Sequence, residues 1–124
     1  MILVDSSGWI EHLTAGPQAD AYEQYLAAPD LLIPTVVLYE VCKFMQREVS
    51  AQDAIAVAGR MRLGHVVPLD EELALEAADL SLQHGLAMAD AVVYATARHH
   101  DATLVTSDED FAELPGVVYL QKPE

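Results

Sequence analysis

The sequence predicts an α/β fold in which a central parallel five-stranded sheet carries helices on both faces. Three observations predict it. Five short apolar runs recur along the chain, each too short for a helix. They alternate with longer segments of helical period, the pattern of strand–helix–strand units. The runs are apolar throughout rather than alternating with polar residues, as in strands buried on both faces. The chain has 124 residues, 52% of them apolar. That suffices for one hydrophobic core, and no linker, internal repeat or low-complexity segment divides it, so residues 1–124 are expected to form a single domain.

Ile2-Leu3-Val4 is the first strand. A helix of about two turns follows, with Ser6 or Ser7 as its expected cap and Gly16-Pro17 as its stop. A second helix is expected over 19–27. Leu31-Leu32-Ile33 forms the next strand, closed by Pro34, and Thr35 is placed to N-cap a helix running to 48. Ser50, with Asp53 three residues on, resembles a capping box for a helix to 63 that Gly64 ends. Val66-Val67 is the third strand, ended by Pro68. Asp70 caps a helix to His84, stopped by Gly85. A helix over 88–100 leads to the fourth strand, Thr103-Leu104-Val105. A short helix over 108–114 and a last strand over 117–120 complete the chain.

Twenty Asp and Glu against six Lys and Arg give a net charge of −14. Such a chain repels nucleic acid unless something neutralises it locally. One cysteine excludes an internal disulfide. The opening MILVDSSGWIEHL has neither the basic nor the apolar region of a secretory signal, and no run approaches a membrane span, so a cytoplasmic protein is expected.

Four acids stand apart from the rest. Asp5 follows the first strand directly, where ligands of open α/β sheets bind, although an Asp there could also simply cap a helix. Asp108 lies three residues past the fourth strand in Thr106-Ser107-Asp108-Glu109-Asp110-Phe111, with hydroxyls beside it. Glu40 interrupts an apolar helix, and Lys43 and Arg47 fall on its face at helical spacing. An exposed ion pair is the plain account of that trio; an acid at a cleft with two cations to hold phosphates is the sharper one. Asp90 begins a helix apolar nearly all round, where an unpaired carboxylate is costly. Oxygen ligands converging from these four positions suit a hard cation such as Mg²⁺ or Mn²⁺. Such an ion inverts the local field and so admits a polyanion to an acidic protein.

These residues resemble a known family. Asp5-Ser6-Ser7-Gly8-Trp9-Ile10 is similar to the opening of PIN-domain ribonucleases, especially VapC-type toxins. Pro34–Val41, Gly85–Ala91 and Thr103–Phe111 resemble that family's later motifs, in the same order and across nearly the whole chain. The resemblance implies a PIN-like sheet and metal-dependent endoribonuclease activity with Mg²⁺ or Mn²⁺. It implies an acidic site of Asp5, Glu40, Asp90 and Asp108, all four serving catalysis and metal binding, with Ser6, Thr106 and Asp110 in support. It also implies a VapB-type antitoxin partner, an RNA substrate and, commonly, a homodimer. Lys43 and Arg47 are the candidates to contact the RNA backbone.

Two rivals are weaker. A phospho-acceptor receiver domain also carries strand-end acids, but it needs a lysine ending a later strand, and none follows a strand before Lys122. A catalytically silent PIN scaffold would have no need of all four acids. Cys42 reads as core filler. Trp9 and Tyr94 also read as core. His12, His65 and His84 lack zinc spacing. His99 and His100 suit the negative end of a helix.

Overall fold

The computed structural model describes residues 1–123. The strands are β1 (Ile2–Val4), β2 (Leu32–Pro34), β3 (His65–Val67), β4 (Thr103–Thr106) and β5 (Val117–Tyr119). The helices are α1 (Ser6–Leu13), α2 (Ala19–Leu26), α3 (Thr35–Glu48), α4 (Ala51–Met61), α5 (Glu71–His84) and α6 (Met88–His99). All strand pairs are parallel. Leu3, Leu104, Val105 and Leu32 are fully buried, which is why their runs contain no polar alternation.

The sheet is not one continuous five-stranded ladder. Strands β1-β4-β5 form one ladder and β2-β3 another. A single parallel bridge, Ile2 to Leu31, joins them in the order β3-β2-β1-β4-β5. The bridge sits at the start of both strands, and beyond it Leu3–Val4 and Leu32–Pro34 run on to α1 and α3 without laddering to each other. The two ladders therefore part at their carboxyl ends, where the acids stand. The order also reverses at β1, the switch point at which such sheets open a crevice.

Local signals placed most helix ends well. Asp70 Oδ1 accepts from Leu73 N at 2.9 Å, and Gly85 ends α5 in the left-handed region at φ 68°. Ser50 Oγ accepts from Asp53 N at 3.0 Å, and the Asp53 carboxylate takes the Ser50 hydroxyl at 2.7 Å.

Three boundaries differ. α1 is capped by Asp5, not by Ser6 or Ser7: its Oδ1 accepts from Ser6 N at 2.7 Å. Thr35 is the first residue of α3 and Pro34 takes the cap position without a side-chain bond, because Pro34 already has the extended backbone a cap requires. The helix expected over 108–114 is one 3₁₀ turn, Glu109–Phe111, because Pro115 and Gly116 follow too closely for another turn. Smaller shifts affect α4, which tightens after Met61 through bonds from Leu63 N to Arg60 O and Gly64 N to Met61 O. Trp9 and Tyr94 lie in the core, each 2% exposed.

Candidate active site

Asp5 is fixed by its place between β1 and α1. Its N–H continues the ladder to Val105 O at 3.1 Å, and its side chain is 5% exposed. A buried carboxylate requires donors. Besides Ser6 N it has the Thr106 hydroxyl at 3.0 Å and, more distantly, Ser7 Oγ at 3.5 Å. Gly8 permits this approach: a Cβ there would collide with the Tyr22 ring and stand 2.6 Å from Val4 Cγ1. α1 can therefore start immediately after β1 with Asp5 held at the sheet edge.

Thr106, fully buried at the end of β4, joins two of the acids. Its Oγ1 donates to Asp5 Oδ2 and accepts from Asp108 N at 3.0 Å. Asp108 in turn caps the 3₁₀ turn, its Oδ1 accepting from Asp110 N at 2.9 Å. Asp90 enters from the first turn of α6, whose next seven residues, Ala91 to Ala97, are all buried. Oxygen atoms of Asp90, Asp108 and Asp110 all lie within 4.8 Å of one another. Asp110, expected only as support, is thus one of the three acids whose oxygens could share an ion, and the exposed one. Glu40 approaches from α3, half-buried, with Ser6 beside it.

The electrostatics follow from crowding in a place with little water. Burial pushes the Asp90 carboxyl up to about 7, and the charges of Asp108, Asp5, Asp110 and Glu40 push the same way. Burial likewise raises Asp5, with Asp108 adding and the bonds from Thr106, Ser6 and Ser7 opposing. Glu40 is raised by burial and then by Asp5, with Ser6 opposing. The structure therefore brings Asp5, Glu40, Asp90 and Asp108 into one electrostatic neighbourhood with Ser6, Thr106 and Asp110. No lysine or arginine forms an ion pair with any of these acids among the described residues.

Lys43 and Arg47 are not drawn to Glu40. Lys43 Nζ sits over the Tyr39 ring at 5.6 Å, while Arg47 pairs with Glu48 at 2.8 Å and lies over Phe44. Both border a groove on α3 with Tyr39, Cys42 and Gln46. Burial raises the Cys42 thiol, which keeps it protonated and unreactive. His99 lies far along α6 from Asp90 and bonds Glu76 through Nδ1 at 3.0 Å, a partner that the helix-dipole account did not include.

Sequence reasoning missed a polar chain behind the site. Tyr22 Oη and Ser107 Oγ are 2.6 Å apart, and Ser107 Oγ donates to Gln18 Oε1 at 3.1 Å. Gln18 Nε2 then donates to Leu120 O and Gln121 O. Ser107 was visible as one of several hydroxyls near Asp108; Gln18 gave no signal at all.

The oxygen-only donor set fits a hard divalent cation, and the raised acids are what such an ion would relieve. The PIN domain family model matches residues 2–117. No curated protein matches the sequence significantly. Among solved structures, the chain resembles a toxin–antitoxin complex from Klebsiella pneumoniae, with TM-score 0.83, 22% identity, and coverage of 98% of this chain and 100% of that one. It also resembles VapC20 of Mycobacterium tuberculosis, a sarcin–ricin-loop-cleaving toxin, with TM-score 0.78, 20% identity, and coverage of 98% and 100%. DNA-bound VapBC from Salmonella typhimurium gives TM-score 0.75, 16% identity, and coverage of 98% of each chain.

Proposed function

The chain belongs to the PIN-domain family, and from that premise we propose that it is a divalent-metal-dependent endoribonuclease, the toxin of a toxin–antitoxin pair. One observation carries the chemistry: carboxylates from four separate elements meet at the sheet's switch point without a cation among them. Asp5, Asp90 and Asp108 would hold Mg²⁺ or Mn²⁺, and Glu40 would complete the set, directly or through water, with Asp110 in reach of the same ion. When bound, the ion supplies a Lewis acid for the phosphodiester and lowers the pKa of the attacking water.

The chain's own part is positioning. Thr106 sets the spacing of Asp5 and Asp108 through its one hydroxyl. Ser6 fixes the side of Asp5 that faces away from Thr106 by donating its N–H to Oδ1. Asp90, with its carboxyl raised to about 7, titrates around neutrality when the ion is absent, and loading would favour its ionised form. Lys43 and Arg47, on their own groove, would contact the RNA backbone away from the cleavage point.

Two of the similar structures are complexes of toxins with antitoxins. An antitoxin for this chain would carry an Arg that pairs bidentately with the acid cluster, since an acidic cleft favours a basic intruder. The working protein would be one PIN domain, commonly a dimer, acting in the cytoplasm. RNA cleavage by the purified chain in Mg²⁺ or Mn²⁺, abolished by EDTA and restored by added metal, is the expected result. Cleavage that persists in EDTA would refute the metal requirement, and no cleavage in either metal would refute the activity.

A further inference from the structure

A cavity of about 610 Å³ opens beside the acid cluster. Asp108, Glu109 and Asp110 line it, and Tyr119 at the end of β5 makes a further wall with Gln121, Lys122 and Pro123 past that strand. Ser7 and Ser107 add hydroxyls to the lining. Its volume lies within the roughly 300–1,000 Å³ of small-molecule sites.

The further wall has a chemistry that the acids do not. Tyr119 offers an aromatic face, Gln121 an amide and Lys122 an ammonium group. Lys122 is the only cation lining the cavity. Of the other cations, Arg98 is held within the fold, donating to Ala102 O at 2.8 Å, and Lys43 and Arg47 border the separate groove on α3. A polyanion on this acidic chain gains affinity from each phosphate that a protein cation neutralises. Lys122 provides one directly next to the acids.

The wall is also held in place. Past β5 the chain runs beyond the ladder, whose last register pair is Thr106 with Tyr119. Leu120 N still reaches Thr106 O at 2.8 Å. Gln18 then takes over, donating to Leu120 O at 3.2 Å and Gln121 O at 3.0 Å. The other end of the same amide accepts from Ser107, the residue before Asp108, whose hydroxyl sits 2.6 Å from the buried Tyr22 Oη. One glutamine thus ties the basic aromatic wall to the turn that carries Asp108, so that cavity and acid cluster keep a fixed spacing.

We propose that this cavity is a subsite for one nucleotide of a single-stranded RNA, the nucleotide flanking the phosphate cleaved at the acid cluster. This rests on the endoribonuclease reading above. The base stacks on Tyr119, the outer phosphate meets Lys122, and Gln18 is a positioning residue that keeps the wall in register. Stacking on an aromatic side chain is tolerant of base identity, so the subsite sets the path of the strand more than its sequence.

The test is steady-state cleavage of a single-stranded oligoribonucleotide by wild type and by Tyr119→Leu, Tyr119→Phe, Lys122→Gln and Gln18→Leu. Loss of the ring or the ammonium should raise KM by roughly five- to a hundredfold, the range of one stacked base, and lower kcat much less. Y119F should resemble wild type, since the ring is kept. Q18L should shift KM in the same sense while leaving the melting temperature of Y119F and Q18L within a few degrees of each other. Unchanged KM in both Y119L and K122Q, with wild type active, overturns the subsite alone.

If wild type cleaves no RNA, the activity reading fails, and the subsite is still decided by binding. A 2′-O-methyl trinucleotide in Ca²⁺ should then shift the amide resonances of Gln121 and Lys122 in the NMR spectrum of wild type, but not of K122Q. No shift with the trinucleotide, or a shift produced instead by an arginine-containing peptide, overturns it.

Discussion

Two groups of acids in this molecule have opposite characters. Glu72 and Glu76 on α5 lie with His99 at the end of α6, all three within ligand distance of one another. They lie at the surface, and His99 bonds Glu76 at 3.0 Å, so the cluster supplies its own partner, an imidazole whose protonated form those acids favour. The Asp90, Asp108 and Asp110 group is just as tight, but Asp5 and Glu40 add to its charge, no lysine or arginine pairs with it, and burial drives Asp90 to about 7. The difference teaches that acid density is not what marks a site. What marks one is charge that the fold has drawn out of water and left without a cation, a cost of folding that a proton or a ligand removes.

The largest expected effect breaks the comparison at its functional end. Asp5→Asn and Asp90→Asn each remove a ligand charge with little change of shape. Each should lower RNA cleavage at least about a hundredfold, since disturbing even the outer shell of a metal site costs 10–100-fold. Glu76→Gln should leave cleavage unchanged. Wild-type turnover by either Asp variant, measured on the same RNA, would remove those acids from the site.

The next effect concerns stability. Asp90 has its carboxyl raised from near 4 to about 7 in the folded protein. The unfolded chain releases that proton first as pH rises, so the metal-free protein loses the contribution progressively between about pH 4 and 7 and has none of it above. Asp5 and Glu40, also raised, act in the same direction. In EDTA, Asp90→Asn should therefore melt at or above wild type, with the gap opening as pH climbs through that window. Mg²⁺ at a hundredfold excess over its Kd adds about 2.7 kcal/mol to the native state. It should raise the melting temperature of wild type more than that of the variant. Equal metal-induced shifts would contradict the strain argument.

A smaller effect separates the cations from the acids. Because Lys43 and Arg47 stack on Tyr39 and Phe44 rather than pairing with Glu40, replacing both by Gln should leave the acid cluster intact. RNA binding should weaken, and the slope of log K against log salt should flatten by up to about 0.7 per lost contact on single strands. The melting temperature should barely move, because exposed charge contacts contribute roughly 0–1 kcal/mol. An unchanged affinity and slope would make them surface charges only.

What the sequence disclosed, and what it did not, follows the same division between local and distant causes. Asp70, Gly85 and Ser50 act within four residues of themselves, so their helix ends could be read directly. The four acids were legible because each is anomalous in its own segment: a carboxylate at a strand end or in an apolar helix. The split sheet was not legible, since it depends on whether two three-residue strands stay together past one bridge. Helical spacing put Lys43 on the face of Glu40 but could not say that its ammonium would turn to Tyr39. Gln18 was invisible because its partners lie 89 and about a hundred residues away. Asp5 is the helix cap it was weighed as through Oδ1, while its Oδ2 accepts from Thr106, whose hydroxyl also takes the Asp108 N–H.

The smallest effect lies in the exposed cluster and has the opposite sign with pH. The hydrogen bond that His99 donates to Glu76, and then the charge of Glu76, raise the His99 imidazole above its ordinary value, with Glu72 and Asp70 contributing in the same sense. A histidine bound more tightly to its proton in the folded state stabilises below the unfolded pKa of about 6.5, and that contribution fades as pH rises through the raised value. Glu76→Gln should remove most of it, leaving what Glu72 and Asp70 contribute, so the variant should lose a little melting temperature at pH 5.5 and nothing at pH 9. Asp90→Asn in EDTA should show its gain at pH 9 and little of it near pH 4. The two variants measured across one pH series therefore give curves that diverge from wild type at opposite ends. Exposure and screening keep the first small, whereas burial makes the second large. A Glu76→Gln effect as large as that of Asp90→Asn would mean that burial is not what separates the two clusters.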